Sequence, residues 1–207
     1  MNIIEQNHEI MDKLDGNKIL KKIELCGRIC YKSENKIDAA SARKFVKNII
    51  KRGHESVLEH FSFSVRFITD RSVTHELVRS RIASYSQESQ RYVAYDQDVT
   101  FIKPVGMNEE QYHKWLQDMV CIESMYYDMR SHNASPQIAR AVLPNSTKTE
   151  IIVTANLREW RHIFKLRCSR AAHPQIRQLM TGVLLDLKKA IPVVFDDIEV
   201  DVNDNKN

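Results

Sequence analysis

The chain has 207 residues, of which 43% are hydrophobic and 28% are charged, and its formal net charge is +4. This length and composition are typical of one globular domain whose core is large enough to fold without disulfides or a structural metal. No segment approaches the roughly 20 apolar residues of a membrane span, and the N-terminus lacks a signal-peptide pattern. We therefore expect a cytoplasmic location and no membrane partner.

Hydrophobic periodicity predicts a mixed, helix-rich fold. Apolar residues recur at helical spacing over 17–31, 38–52, 71–82, 107–132, 157–168 and 173–190. Pro136 is placed to open a further short helix. Short apolar runs predict strands at 61–68, 98–103 and 147–155. We expect a single domain over 1–207, with an acidic tail that frays from about residue 196.

The segment 79–92 concentrates side chains suited to an anion. Its sequence is Arg-Ser-Arg-Ile-Ala-Ser-Tyr-Ser-Gln-Glu-Ser-Gln-Arg-Tyr, and guanidinium groups match phosphate and carboxylate in shape and charge. Arg79 and Arg81 would point about 200° apart on a regular helix. Either the helix ends before them, or the two arginines serve different ligands.

Two further segments carry polar groups that could complete a site. Residues 53–60 read Gly-His-Glu-Ser-Val-Leu-Glu-His, but the histidine spacing fits no common metal motif, so we predict no metal site. This segment is either a surface loop or the border of a planar ligand. Asn156 is placed to cap the next helix, and Arg158 and His162 should share one face of it.

Cysteine and glycine usage narrow the chemistry. The four cysteines form no CxxC pair, so we expect structural or incidental thiols; a cysteine nucleophile stays open but has no local signature. None of the five glycines is close enough to another to form the GxG of a dinucleotide-binding turn. A nucleotide would have to be held by side chains and helix ends. Eight lysines and arginines between 140 and 177 favour an anionic partner.

These segments together resemble the flavin-dependent thymidylate synthases. The family motif Arg-His-Arg, seven residues, Ser is matched by Arg79-Ser80-Arg81, seven residues, then Ser89. The other matches cover 20–190 in the family's order: Gly-His-Glu-x-x-x-Glu-His at 53–60, Ala-Arg-x-x-Leu-Pro at 139–144, Asn156 with Arg158 and Arg167, and a His-to-Arg ending at 173–177.

The resemblance implies an α/β (α+β) fold with a small, largely antiparallel central sheet flanked by helices. It also implies reductive methylation of dUMP to dTMP, with FAD as cofactor, methylenetetrahydrofolate as carbon donor and NADPH as reductant. In this reaction the reduced flavin would deliver the hydride, and no cysteine would act as nucleophile. The partners would be these small molecules and three further copies of the chain in a homotetramer with shared active sites, with no nucleic acid.

The resemblance assigns site residues as well. For FAD these are His54, Ser56, Arg79, Ser80, Arg81, Asn156 and His162. For dUMP they are Glu76, Gln87, Glu88, Ser89, Arg91, Arg140 and Arg167. The catalytic candidates are Arg167 on the uracil ring, Ser89 as a substrate ligand without a neighbouring base, and His54 beside the isoalloxazine and the folate.

Three positions depart from the family pattern. Ser80 replaces the usual histidine, Glu76 stands where glutamine is frequent, and Gln87 stands where many members have glutamate. The first change predicts weaker flavin binding. The departures at Ser80 and Glu76 leave open a degenerate or specialised homologue. The basic C-terminal third, with aromatic residues that could stack on bases, leaves open a basic nucleic-acid-binding protein.

Overall fold

Alternation along two long central strands builds the sheet that carries the site. The computed structural model describes residues 1–200. Its strands are β1 (Asn2–Ile4), β2 (Asn7–Ile10), β3 (Ser62–Asp70), β4 (Ala83–Gln87), β5 (Thr100–Ile102) and β6 (Lys148–Asn156). Its α-helices are α1 (Gly16–Ile29), α2 (Ser41–Lys51), α3 (Arg71–Leu77), α4 (Glu109–Ser131), α5 (Pro136–Ala139), α6 (Leu157–Arg167) and α7 (Pro174–Ala190).

The main sheet is antiparallel, with strand order β2-β3-β6-β4. β3 and β6 pair along their full lengths, with Val65 opposite Val153. A separate parallel pair joins β1 to β5. This mixture of helices around a small antiparallel sheet confirms the predicted fold class.

The core lies between the sheet and helices α1, α2, α6 and α7. Phe63 and Val65 alternate with polar residues on β3 and are buried. Trp160 of α6 stacks on Phe63 with 5.2 Å between ring centroids. A second buried cluster, which includes Phe101, Met119 and Tyr126, lies under α4. Among the described residues, no helix combines the length and apolarity needed to cross a membrane.

The predicted helices agree with the structure except for the one placed at 71–82. That helix ends at Leu77, and the strand β4 begins six residues later. The Tyr85 hydroxyl donates to the carbonyls of Leu77 and Ser80, which satisfies backbone groups that a helix would have used. Arg79 and Arg81 therefore lie in the connection between α3 and β4, which is the first of the two alternatives raised by their spacing.

Two terminal features were not predicted correctly. The strands β1 and β2 were missed because their pairing partners, β5 and β3, lie far along the chain. The tail was expected to fray from about residue 196, yet Ile198 is buried and Asp197 bonds Arg161. Residues 201–207 of that predicted tail lie outside the described part.

Candidate active site

Helix α6 places the central polar groups of the site. Asn156 ends β6 and caps the helix, its side-chain oxygen accepting from the Glu159 amide at 2.9 Å. Arg158 and His162 are both exposed on the same side of α6, as their spacing predicts. The opposite side of the helix is buried against the sheet through Trp160.

The segment 53–60 is anchored to α6 by two acidic side chains. Gly53 adopts a φ of 72°, a left-handed conformation that ends α2 and turns the chain into His54. Glu55 accepts from Nη2 of the buried Arg161 at 3.0 Å. Four residues later, Glu59 accepts from Arg158 at 2.6 Å. The two ion pairs fix the segment, and hence His54, against α6.

Three adjoining cavities run along this side of the molecule. The first, of about 580 Å³, contains His54 and Ser56. The second, of about 420 Å³, shares Arg158 with the first and contains Asn156 and His162. The third, of about 210 Å³, shares His162 with the second and is lined by Arg79, Ser80, Arg81 and Arg167. The structure thus brings all seven residues assigned to FAD onto one continuous surface.

Arg167, at the end of α6, is held by Glu76 of α3. Its Nη1 donates to Glu76 Oε2 at 2.5 Å and its Nη2 donates to the Glu76 carbonyl at 2.7 Å. The third nitrogen, Nε, is buried and has no hydrogen-bond partner among residues 1–200. A buried donor without a partner is costly, so this guanidinium can gain from an oxygen that a ligand supplies.

Gln87 and Glu88, which are also assigned to dUMP, lie at the other end of β4. Gln87 donates to the hydroxyls of Thr74 and Thr149. Glu88 accepts from Lys148 at 3.0 Å and from the Tyr95 hydroxyl at 3.3 Å. Burial, reinforced by Glu88, raises the pKa of Tyr95 to about 12, so this hydroxyl stays a donor at neutral pH.

Ser89 and Arg91 follow directly after this end of β4. Ser89 Oγ accepts from the Arg91 amide at 3.3 Å, and the Arg91 guanidinium lies over the ring of Tyr92. Arg140 begins a 3-10 turn after α5. The four steps from Ala83 to Gln87 span about 13 Å in an extended strand. Within one chain, β4 therefore separates the Arg79–Arg81 cluster from Ser89.

Reasoning from the sequence missed the residues that position the site. Arg161 is 1% exposed, and its guanidinium bonds Glu55, the Val194 carbonyl and Asp197. In the sequence it is one of several arginines on an amphipathic helix. The one available signal was its place on the apolar side, one residue after Trp160.

The cysteines differ in their exposure and in the pKa of their thiols. Burial raises the pKa of the Cys168 thiol to about 11, which leaves roughly one molecule in a thousand as thiolate at pH 8. Cys30 and Cys121 are exposed. Iodoacetamide at pH 8 should therefore alkylate Cys30 and Cys121 in the folded protein and Cys168 only after unfolding, as peptide mass spectrometry can check. Rapid labelling of Cys168 in the native protein would contradict this account.

Comparison with known proteins identifies the family of the chain. The family model described as "Thymidylate synthase complementing protein" (Thy1) matches residues 11–193. Flavin-dependent thymidylate synthases of Mycobacterium avium and Mycobacterium tuberculosis are each 38% identical over 90% of this chain and 81% of their own length. The chain belongs to the flavin-dependent thymidylate synthase family. Membership confirms the predictions of an enzyme of this type and of a flavin cofactor.

Solved structures show the fold of the family independently. The UMP/dUMP methylase PolB from Streptomyces cacaoi, bound with 5-Br dUMP, superposes with a TM-score of 0.77 at 19% identity. The match covers 94% of this chain and 95% of that one. At 19% identity this similarity is evidence for the fold alone, and it supports the predicted α/β (α+β) fold class.

Proposed function

We propose that this flavin-dependent thymidylate synthase converts dUMP to dTMP with methylenetetrahydrofolate as carbon donor and NADPH as reductant. The observation that carries the proposal is the run of cavities that gathers the FAD-assigned residues beside Arg167. A cytoplasmic location is part of the same proposal. NADPH is assigned from the family resemblance and from the surplus of cations around the site.

The residues present fit FAD. Arg79 and Arg81 are exposed and form no ion pair within residues 1–200, so both are free to meet phosphate oxygens. His162 would contribute a ring edge, and Asn156 a carboxamide at the N-terminus of α6. His54 and Ser56 would lie at the redox end. When bound, FAD supplies the hydride that reduces the transferred carbon to a methyl group.

Arg167 and Ser89 would act on dUMP. The Arg167 guanidinium, oriented by Glu76, can hydrogen-bond a uracil carbonyl and stabilise the negative charge that develops when the ring is activated. Ser89 has no described histidine within hydrogen-bond reach, so it serves as a ligand and not as a nucleophile. Arg91 and Arg140 would pair with the phosphate.

We further propose that the active site is shared between subunits of a homotetramer. Ser89 and Arg91 are separated from Arg167 and the flavin residues by the length of β4 within one chain. A dUMP molecule bound by both groups would need the Ser89 end of another copy. A single chain would therefore lack one of the two groups that bind dUMP.

Release of tritium from 5-tritiated dUMP tests the reaction, because methylation at C5 expels that hydrogen. We expect release that requires FAD, methylenetetrahydrofolate and NADPH, from a yellow protein whose flavin spectrum bleaches with NADPH. A colourless protein that takes up no FAD and releases no tritium would favour the degenerate homologue. Salt-sensitive binding of an oligonucleotide without turnover would favour the nucleic-acid reading.

Restoring the family histidine at Ser80 should tighten flavin binding. Ser80 is 6% exposed but lines the smallest cavity, so an imidazole can extend into that space. One additional hydrogen bond is worth about 1 kcal/mol, which corresponds to a Kd for FAD about fivefold lower. Fluorescence titration of Ser80→His measures it, with Ser84→His on the exposed side of β4 as control. Equal FAD affinity in the wild type and Ser80→His would refute the idea.

Subunit complementation tests the shared site. Arg81→Ala and Ser89→Ala should each be inactive alone, since each removes one end of the proposed site. Mixed tetramers from co-expression should recover up to about a quarter of wild-type activity, because some sites combine two intact ends. Activity no higher than that of the two separate variants would mean that each chain builds its own site.

A further inference from the structure

The helix α2 carries a strongly basic surface that the proposed catalytic residues leave unused. Between residues 13 and 52 the sequence has 12 lysines and arginines against four acids. The exposed charges of α2 and the residue after it are all positive, and we call them the α2 basic face: Arg43, Lys44, Lys47, Lys51 and Arg52. None of the five forms an ion pair within the described part of the chain.

The spacing makes this face a short track for negative charge. Arg43, Lys47 and Lys51 follow one another at four-residue intervals, and Lys44, Asn48 and Arg52 form the adjacent row. Eight residues of helix cover about 12 Å. Glu24 of α1, a buried acid close to the start of α2, is already engaged, because it accepts from Arg28 and from the Ser41 hydroxyl.

The α2 basic face borders the largest cavity near the flavin residues. Asn48 and Arg52 line the same cavity of about 580 Å³ that contains His54 and Ser56. Its outer rim includes Tyr31, which is 77% exposed. A ligand whose reactive end lies at His54 can therefore extend through this cavity and leave it along α2.

We propose that the α2 basic face binds the γ-linked glutamate chain of the folate substrate. This inference rests on the proposed function, because folate is the substrate in that reaction that carries a chain of carboxylates. Each added glutamate contributes one carboxylate, and successive cations on α2 can meet successive carboxylates. The phosphates of dUMP and FAD are assigned to arginines elsewhere, namely Arg79, Arg81, Arg91 and Arg140.

A nucleic acid is the less favoured occupant. The basic track covers only about 12 Å, which is short for the groove that follows a nucleic-acid backbone. The direct connection to the cavity at His54 instead points to an anion that is covalently part of a ligand bound there.

Folates with one and with five glutamates test the inference on the holoenzyme. Four extra carboxylates, each strengthening binding by a little under twofold at an exposed cation, should together lower the KM for methylenetetrahydrofolate about tenfold. The combined Lys44→Gln, Lys47→Gln and Lys51→Gln variant should lose most of that preference and keep its KM for the monoglutamate within about twofold. Added salt should weaken the preference in the wild type.

A matched control removes three exposed lysines elsewhere: Lys13→Gln, Lys114→Gln and Lys189→Gln. This variant should keep the preference, since it changes the net charge equally but leaves α2 intact. Equal KM values for both folates in the wild type, or a preference that survives the α2 changes, would overturn the inference. The inference would also be overturned if the α2 variant had a raised KM for NADPH but kept the preference for the folate with five glutamates.

Calorimetric binding of tetrahydrofolate with one and five glutamates separates this inference from the proposed reaction. Tighter binding of the longer form that is lost in the α2 variant supports the α2 site even if turnover of dUMP is absent. Turnover of both folates with equal affinities would leave the reaction standing and reject the α2 site. The α2 site would also be rejected if the protein bound a single-stranded oligonucleotide, lost that binding in the α2 variant, and showed no preference for the longer folate.

Discussion

Replacing Arg161 by methionine should lower the free energy of unfolding by about 3 kcal/mol, at the lower end of the range for breaking a buried ion pair. Arg161 is 1% exposed and bonds Glu55, Asp197 and the Val194 carbonyl. Methionine fills the space but leaves Glu55 and the carbonyl without their donor. The Asp197 side chain is about half exposed, which moderates the loss. Urea unfolding followed by circular dichroism measures the effect.

Arg158→Met is the matched control on the same helix. Its ion pair with Glu59 is about half exposed on both sides and is screened by water, so its loss should lower the free energy of unfolding much less than the loss of Arg161. Similar destabilisation by the two changes would mean that the Arg161 network does not hold the structure together. Because Glu55 anchors the segment that carries His54, Arg161→Met should also weaken flavin binding at temperatures where the protein is still folded.

The loss of stability caused by Arg161→Met should depend on pH in a definite direction. The hydrogen bond from Arg161 holds the pKa of Asp197 below its ordinary value. That contribution to stability is present above the unfolded pKa of about 3.9 and is lost as the pH falls through the lower folded value. The difference in stability between wild type and Arg161→Met should therefore narrow below pH 4. A constant difference from pH 7 to pH 3 would exclude the Asp197 contribution.

The sequence predicted the elements whose pattern is local. α4 and α6 show helical periodicity, and β3 shows a clear alternation of apolar and polar residues. β4 was missed because its alternation, Ala-Ser-Tyr-Ser-Gln, is weakly apolar and becomes a strand only by pairing with β6. β2 was missed for the same reason, since it depends on β3 more than 50 residues away.

The candidate site was predictable in its chemistry but not in its geometry. Motif matching named the residues that line the three cavities, and Asn156 caps α6 as its position predicts. The separation of Ser89 from Arg167 could not be predicted, because it follows from the unexpected strand between Arg81 and Ser89. The burial of Arg161 could not be predicted either, since an arginine's charge gives no indication of which carboxylates enclose it.

Replacing Arg167 by glutamine should lower kcat by about 10²- to 10³-fold, the usual cost of removing one electrostatic donor from a transition state. Glutamine keeps a hydrogen-bond donor but loses the positive charge beside the developing anion. Glu76→Gln should lower kcat less, because Arg167 keeps its positive charge and only its hydrogen bond to the side chain of residue 76 is weakened. Tritium release at saturating substrates measures kcat for both variants.

Two controls separate a catalytic role of Arg167 from a structural one. Lys189→Gln removes an exposed cation of α7 that lines none of the three cavities, and should leave kcat within about twofold. Arg167→Lys should recover part of the rate, since the charge returns without the two-pronged contact to Glu76. A flavin spectrum and FAD affinity like those of the wild type would show that the glutamine variant is folded. If kcat for Arg167→Gln then stayed within tenfold of the wild type, activation of the uracil ring would have to come from another residue.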